Sequence, residues 1–280
     1  MGRYLSVRSW LLACLLALSP ILSMAQATPL IVGVLPTLSP RVLLNSYQPF
    51  RTYLEQTLKR PVELVTATDF ATFHKSTMAG DYDLVVTAAH LGRLAQTEGG
   101  YIPLATFKAT NRAMLVTARA TPLKSIQDLR GHAVAALDRF ALVTSQTLVW
   151  LEAQGLREGT DFRLLETSSH NSSAYSVLSG ESVLAIISPA GWGQMPANIR
   201  DSLQVFASLP AIPGLMLLAN PRLAREVPRL KSALLAFSPD LPEGKQFFEA
   251  TRYQGIREIA PEEMKSLDPY TRYLRQHLEH

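Results

Sequence analysis

The 280-residue chain reads as an α/β protein in which strands alternate with helices around largely parallel sheet. Two observations carry that expectation. Runs such as Leu30-Ile31-Val32-Gly33-Val34-Leu35 and Val183 to Ser188 are apolar almost throughout, as strands buried on both faces require. Between such runs lie segments with apolar residues at helical spacing, opened by Ser, Thr, Asp or Pro and closed by Gly.

Leu30 to Leu35 is the first strand. Pro49 is placed at the first position of a helix that carries Phe50, Tyr53, Leu54 and Leu58 on one face. Val62 to Ala67 reads as the second strand. Asp69 is a good N-cap for a helix through Met78, which Gly80 ends. Tyr82 to Thr87 is a third strand, flanked at its start by Asp81 and Asp83, which read as solvated turn residues. A helix from His90 to Glu98 then stops at Gly99-Gly100. Ala113 to Ala118 is a strand, and Ser125 caps a short turn through Leu129 that ends at Gly131. Ala133 to Leu137 is another strand, after which Thr144 or Ser145 opens a helix closing at Gly155. Arg163 to Glu166 leads into the polar cluster Thr167-Ser168-Ser169-His170-Asn171-Ser172 and a helix to Ser179, with Gly180 as its stop. Trp192 falls in a flexible loop, Pro189 to Gly193. Leu215 to Ala219 follows Pro210-Ala211-Ile212-Pro213-Gly214 as the last strand. The tail from Ala224 is helix-rich, with Glu243 to Thr251, Pro261 to Leu267 and Pro269 to Leu278 as helices.

Residues Met1 to Ala27 read as a cleaved export signal. Arg3 and Arg8 give the positive start, Trp10 to Leu22 the apolar core, and Ala25-Gln26-Ala27 the small-x-small cleavage pattern. A membrane anchor is the rival reading, but the run falls short of about 18 residues. The single cysteine, Cys14, lies in mid-core with apolar residues continuing past it, which speaks against a lipid attachment site. An exported, soluble body without cysteine must rely on a hydrophobic core, and it excludes thiol nucleophiles and thiolate ligands. The formal net charge is +4, with two of the arginines in the leader and no run of lysine or arginine, so no nucleic-acid footprint is present. The last three residues, Leu278-Glu279-His280, match a purification-tag remnant.

Catalytic signatures are missing: there is no G-x-S-x-G elbow, no G-x-x-x-x-G-K-[ST] loop and no helical pair of histidines for a metal. No cofactor, no metal and no enzymatic activity are expected. What the chain does have is strand-to-helix junctions rich in hydroxyls and small residues. In open α/β sheets ligands settle at the carboxyl ends of strands, where helix starts offer free N–H groups and a partial positive field. The junctions are Pro36 to Ser39 with Thr37, Thr68-Asp69-Phe70, Thr87 to His90, Asp138 to Ser145, and Ser169 to Ser172.

Three stretches resemble the phosphonate/phosphate-type (PhnD-like) periplasmic substrate-binding proteins of ABC transporters. They are Asp69-Phe70 with Met78-Ala79-Gly80-Asp81-Tyr82-Asp83-Leu84; Ser125 to Gly131 leading to Asp138, with Gly155 beyond; and Ser169-His170 with Val177, Gly180 and Pro210 to Gly214. The resemblance spans roughly residues 28 to 220. It implies a type II periplasmic-binding-protein fold, with two α/β lobes joined by two crossing strands. Residues 28–115 with 212–280 form one lobe and 116–211 the other. It also implies capture of a small, phosphonate- or phosphate-like anion in the interlobe cleft by a monomer that serves a membrane permease. Phe70 then matches a cleft aromatic, His170 the cleft histidine, and Asp138 the aspartate that opens the anion loop.

Departures from the family pattern fall in that same pocket. The usual small-hydroxyl run after the aspartate is replaced by Arg139-Phe140-Ala141-Leu142-Val143-Thr144, the later acidic residue by Val183, and a second cleft tyrosine by a residue near Thr87. An amine-bearing ligand would lack its carboxylate partner, and an unpaired buried charge is costly. Arg139 is either an anion clamp or a solvated arginine, Phe70 a cleft or a core aromatic, and His170 a ligand contact or a helix-start residue bonding its own backbone. The candidate ligand-binding set is Thr37, Phe70, Thr87, His90, Asp138, Arg139, Thr144, His170 and Asn171. A periplasmic sensing module that signals to a membrane kinase or chemoreceptor would use the same fold.

Overall fold

The computed structural model describes residues 28–278, so the leader reading over Met1–Ala27 and the reading of the last two residues lie outside it. The first half opens with β1 (Leu30–Val34), α1 (Pro40–Leu58), β2 (Val62–Val65), α2 (Phe70–Ala79), β3 (Leu84–Ala88), α3 (Ala89–Gly99) and β4 (Ile102–Phe107). A short strand, β5 (Thr110–Asn111), carries the chain across to β6 (Met114–Ala118), β7 (Ala133–Ala136), α4 (Leu142–Ala153), β8 (Arg163–Glu166), α5 (His170–Leu178) and β9 (Leu184–Ile187). There follow α6 (Pro189–Gln194), α7 (Ala197–Arg200) and β10 (Leu203–Ser208). The chain returns through β11 (Ile212–Pro213), antiparallel to β5, into β12 (Leu215–Ala219), α8 (Val227–Ala236), α9 (Pro242–Thr251), β13 (Ile256–Arg257), α10 (Pro261–Lys265) and α11 (Asp268–Leu278).

Two sheets result, in the orders β13-β4-β12-β3-β1-β2 and β10-β6-β9-β7-β8. In each, three strands joined by helical crossovers run parallel: β2, β1 and β3 in the first, β8, β7 and β9 in the second. The strands next to the two chain crossings run antiparallel: β12 against β3, and β6 against β9. β6 lies whole in the second sheet. Each sheet is sandwiched between two apolar clusters, which is where the fold's main driving force resides. No helix among the described residues is long and apolar enough to cross a membrane.

Several elements depart from the sequence expectation, each for a physical reason. The first helix begins at Pro40, behind Ser39, and runs through Pro49. Proline inside a helix removes one backbone bond. Here Leu43, Tyr47, Phe50 and Leu54 bury a continuous stripe whose rings meet Phe237 and Phe247 of α8's end and α9, which offsets that loss. The helix expected to open at Thr144 or Ser145 starts at Leu142, so both hydroxyls sit in its first turn. Asp83 is no solvated turn residue: it is buried and accepts from Ile31 N at 2.9 Å and Arg222 Nε at 2.8 Å, tying β1 to the turn after β12. Trp192 lies in a short helix, α6, capped by Ser188, and packs on the second sheet.

Candidate functional site

Six helices start at the carboxyl ends of parallel strands, and they start differently: side chains cap α2, α5 and α6, and none caps α1, α3 or α4. At α2, Asp69 Oδ1 accepts from Thr72 N at 2.7 Å. At α5, Ser169 Oγ accepts from Ser172 N at 3.0 Å. At α4 the N-cap is Ala141, and no side chain caps the helix. The turn into α4 is built by Asp138, whose Oδ1 takes the Phe140 N–H at 2.6 Å while its carbonyl takes the Ala141 N–H at 3.1 Å. Burial pushes the Asp138 carboxyl up, against the Phe140 N–H and with the negative charges of Glu166 and Asp69 adding to the rise.

The start of α4 is therefore bare of its own acceptors and also buried: Ala141, Leu142 and Val143 are shielded, and Thr144 and Ser145 are 0% exposed. Thr144 Oγ1 and Ser145 Oγ have no hydrogen-bond partner among the described residues. Free first-turn N–H groups, the positive end of a helix dipole and two unpartnered hydroxyls together are what an oxyanion needs. Buried polar groups are otherwise almost always satisfied.

His90, the second residue of α3, reaches this place from the other sheet. Its ring is 0% exposed, and Nε2 lies 3.0 Å from the carbonyl oxygen of Phe140, just ahead of α4. Nδ1 has no partner among the described residues. Gly92 sets the ring's position by letting α3 lie against β12, since a Cβ there would collide with the Met216 side chain. Leu142 belongs to the same apolar cluster as Leu35, Phe73 and Ala88, and Phe140 packs on it. Phe70, first in α2, touches clusters from both halves. The region is closed by apolar side chains around a few polar atoms.

The remaining expected residues divide. Arg139 Nε is 2.8 Å from Glu166, and its guanidinium also lies 3.6 Å from Glu158, so its charge is already paired. His170 starts α5, where Nε2 lies 3.0 Å from Ser188 Oγ and the ring packs on Gly191, whose missing Cβ makes room for it. Nδ1 of His170 has no partner among the described residues, and burial lowers its pKa. Thr87 is buried in β3, whereas Thr37 and Asn171 face solvent. Phe70, His90, Asp138, Arg139 and Thr144 thus gather around the β7–α4 turn, and His170 has its own partners beside it.

Three residues outside the candidate set matter to this geometry. Ser145 shares the site with Thr144. Ser188, followed by proline at the end of an apolar strand, carries the signature of a helix cap. Gln146 fastens α4 to both chain crossings: Oε1 accepts from Ala113 N and Nε2 donates to Pro210 O, each at 2.7 Å. A lone amide among Leu142, Val143, Leu148 and Leu151 was its only signal, since a buried amide demands partners.

A family model described as the periplasmic substrate-binding protein of phosphonate ABC transporters matches residues 32–264. Among solved structures, the chain is similar to a Xanthomonas citri protein bound to chloride, with 16% identity, 88% of this chain and 97% of that one covered, and a TM-score of 0.78. It is similar to PhnD1 from Prochlorococcus marinus in complex with methylphosphonate, with 16% identity, coverages of 88% and 98%, and a TM-score of 0.73. The aliphatic sulphonate binding protein SsuA from Escherichia coli follows, with 16% identity, coverages of 89% and 93%, and a TM-score of 0.60. At these identities the structures speak to the fold, which is the two-lobed type II arrangement.

Proposed function

The chain belongs to the periplasmic substrate-binding proteins of phosphonate ABC transporters, and from that premise we propose that it captures a small oxyanion between its lobes and passes it to a membrane permease. We divide the lobes as residues 28–113 with 212–278, and 114–211; the pairing of β6 within the second sheet supports a seam ahead of that strand, slightly before the 115/116 expected from the sequence. The leader over residues 1–27 delivers the protein to the periplasm, and the protein acts there as a monomer without a catalytic step.

One observation carries the reading: α4 begins buried and uncapped, with Thr144 Oγ1 and Ser145 Oγ unpartnered beside it. The bound oxyanion takes the place of the missing cap, accepting from the first-turn N–H groups and the two hydroxyls. His90 closes on it from the first lobe, which couples ligand binding to the approach of the two halves. Arg139 does not clamp the anion; it holds the turn through Glu166 and Glu158.

Thermal melts and calorimetry with methylphosphonate, inorganic phosphate, methanesulfonate and acetate test this. A ligand at one hundred times its Kd adds about 2.7 kcal/mol to folded-state stability. Thr144→Val with Ser145→Ala should remove that gain. No shift with any of the four anions would overturn the reading.

A further inference from the structure

His90 differs from every other unsatisfied group at the start of α4. A carbonyl oxygen only accepts, so the 3.0 Å contact with Phe140 O places the ring hydrogen on Nε2. Burial holds the His90 pKa at about 3, against the pull of the Phe140 carbonyl and with His74 lowering it further, so the ring is neutral. Nδ1 is then a bare lone pair, fully buried, with no donor in reach among the described residues. Neither the Thr144 nor the Ser145 hydroxyl supplies one, since both are themselves without partners. The rest of the helix start donates; His90 Nδ1 alone can only accept.

Resting on the reading that this helix start holds an oxyanion, we propose that His90 makes the site selective for an oxyanion carrying one O–H. That means a singly protonated phosphonate or phosphate, with its P–O–H directed at Nδ1, in preference to a sulfonate or sulfate. Methylphosphonate as its monoanion and methanesulfonate have the same charge and nearly the same shape. They differ by one hydrogen. The phosphonate gives two oxygens to the N–H and hydroxyl donors and one O–H to Nδ1. The sulfonate has three accepting oxygens and nothing to donate, so it sets a lone pair against a lone pair and leaves Nδ1 buried and unpaired. Sites built to bond a ligand hydroxyl reject analogues that lack it far more strongly than apolar pockets reject a missing methylene.

Calorimetric titration of the unaltered protein tests the proposal, with methylphosphonate and methanesulfonate at mildly acid pH, and with inorganic phosphate and sulfate at mildly alkaline pH, where phosphate is mostly the singly protonated dianion and matches sulfate in charge. Methylphosphonate is expected to bind about tenfold to a hundredfold more tightly than methanesulfonate, the span expected of one hydrogen bond to a charged ligand. Phosphate should show the same advantage over sulfate, which separates the shared P–O–H chemistry from any effect of the methyl group. In His90→Leu the ratio should collapse toward one. In His90→Gln, whose amide can both donate to Phe140 O and accept in place of Nδ1, most of it should survive. Equal binding of phosphonate and sulfonate by the unaltered protein overturns the selectivity while leaving the oxyanion site standing. A ratio that persists in His90→Leu overturns the role of His90. Failure of all four anions to bind overturns the site and the selectivity together.

Discussion

The starts of α2 and α5 on one side, and of α4 on the other, show how one sequence makes two kinds of helix end. α2 and α5 are closed by their own residues: Asp69 and Ser169 each take a first-turn N–H. α4 leaves that role open, with Ala141 where a capping oxygen would stand and with Thr144 and Ser145 unpartnered. A capped start contributes stability, typically about 1 kcal/mol. An uncapped, buried start costs stability and keeps donors available. Helix starts in this protein thus differ in whether their own side chains take up a first-turn N–H, and the difference is written in single residues.

The largest effect should come from reversing the division. Ala141→Asp supplies α4 with its own cap and sets a carboxylate where an oxyanion would lie. Methylphosphonate affinity should fall more than about a hundredfold, from lost donors and like-charge repulsion, while the Tm holds or rises. Unchanged affinity in calorimetry would break the comparison. Acid comes next. Burial holds His90 at about 3 and His74 at about 4, below the ordinary 6.5, and it lowers His170 as well. As pH falls through 6.5 the unfolded chain takes up protons that the folded chain refuses, so stability is full above 6.5 and drains away toward pH 3 to 4. The Tm should drop on the order of ten degrees between pH 7 and pH 4.5. A smaller drop in His90→Leu is expected, and a flat Tm in the unaltered protein contradicts the assignment.

Gly191→Ala should cost about 1–3 kcal/mol, because the new Cβ displaces the His170 ring from Ser188. Urea melts of this variant that match the parent would mean the ring relaxes freely. Asp69→Ala is the smallest and the sharpest control. It should lose about 1 kcal/mol of stability with methylphosphonate affinity intact, since α2 is a closed end. Loss of affinity there would place α2, not only α4, in the site.

Local chemistry was legible where it was self-contained. Asp69 and Gly80 bracket α2 as their capping chemistry requires, and β12 over Leu215–Ala219 reads directly from its apolar run. Elements whose stability comes from distant partners were not legible: β4 was overlooked, though it pairs with β12 and β13 from far along the chain. Pro49 misled for the same reason, because the aromatic packing that tolerates it comes from residues beyond 230. At the site, the hydroxyl at Thr144 and the ring at His90 were visible as residue types. The pairing of Arg139 with Glu166 depends on β7 lying beside β8, and the reach of His90 to Phe140 on how the two sheets face each other; spacing along the chain encodes neither.

The last helix bears on how the halves can move. Met264 and Leu267 at α10, and Leu274 of α11, are part of the first half's apolar cluster, and Arg93 holds Asp268 at 2.7 Å while Arg275 pairs with Glu98. Toward the second half, α11 offers Tyr273, which packs on that side and donates to Glu158 at 3.2 Å. The carboxyl-terminal rod thus bridges α3 and α4, and the proposed opening of the lobes would strain one of these two attachments. A fluorophore at Gln276, facing α4, should brighten or dim if the proposed closure takes place, which would make the tail of the chain a gauge of the jaws it straddles.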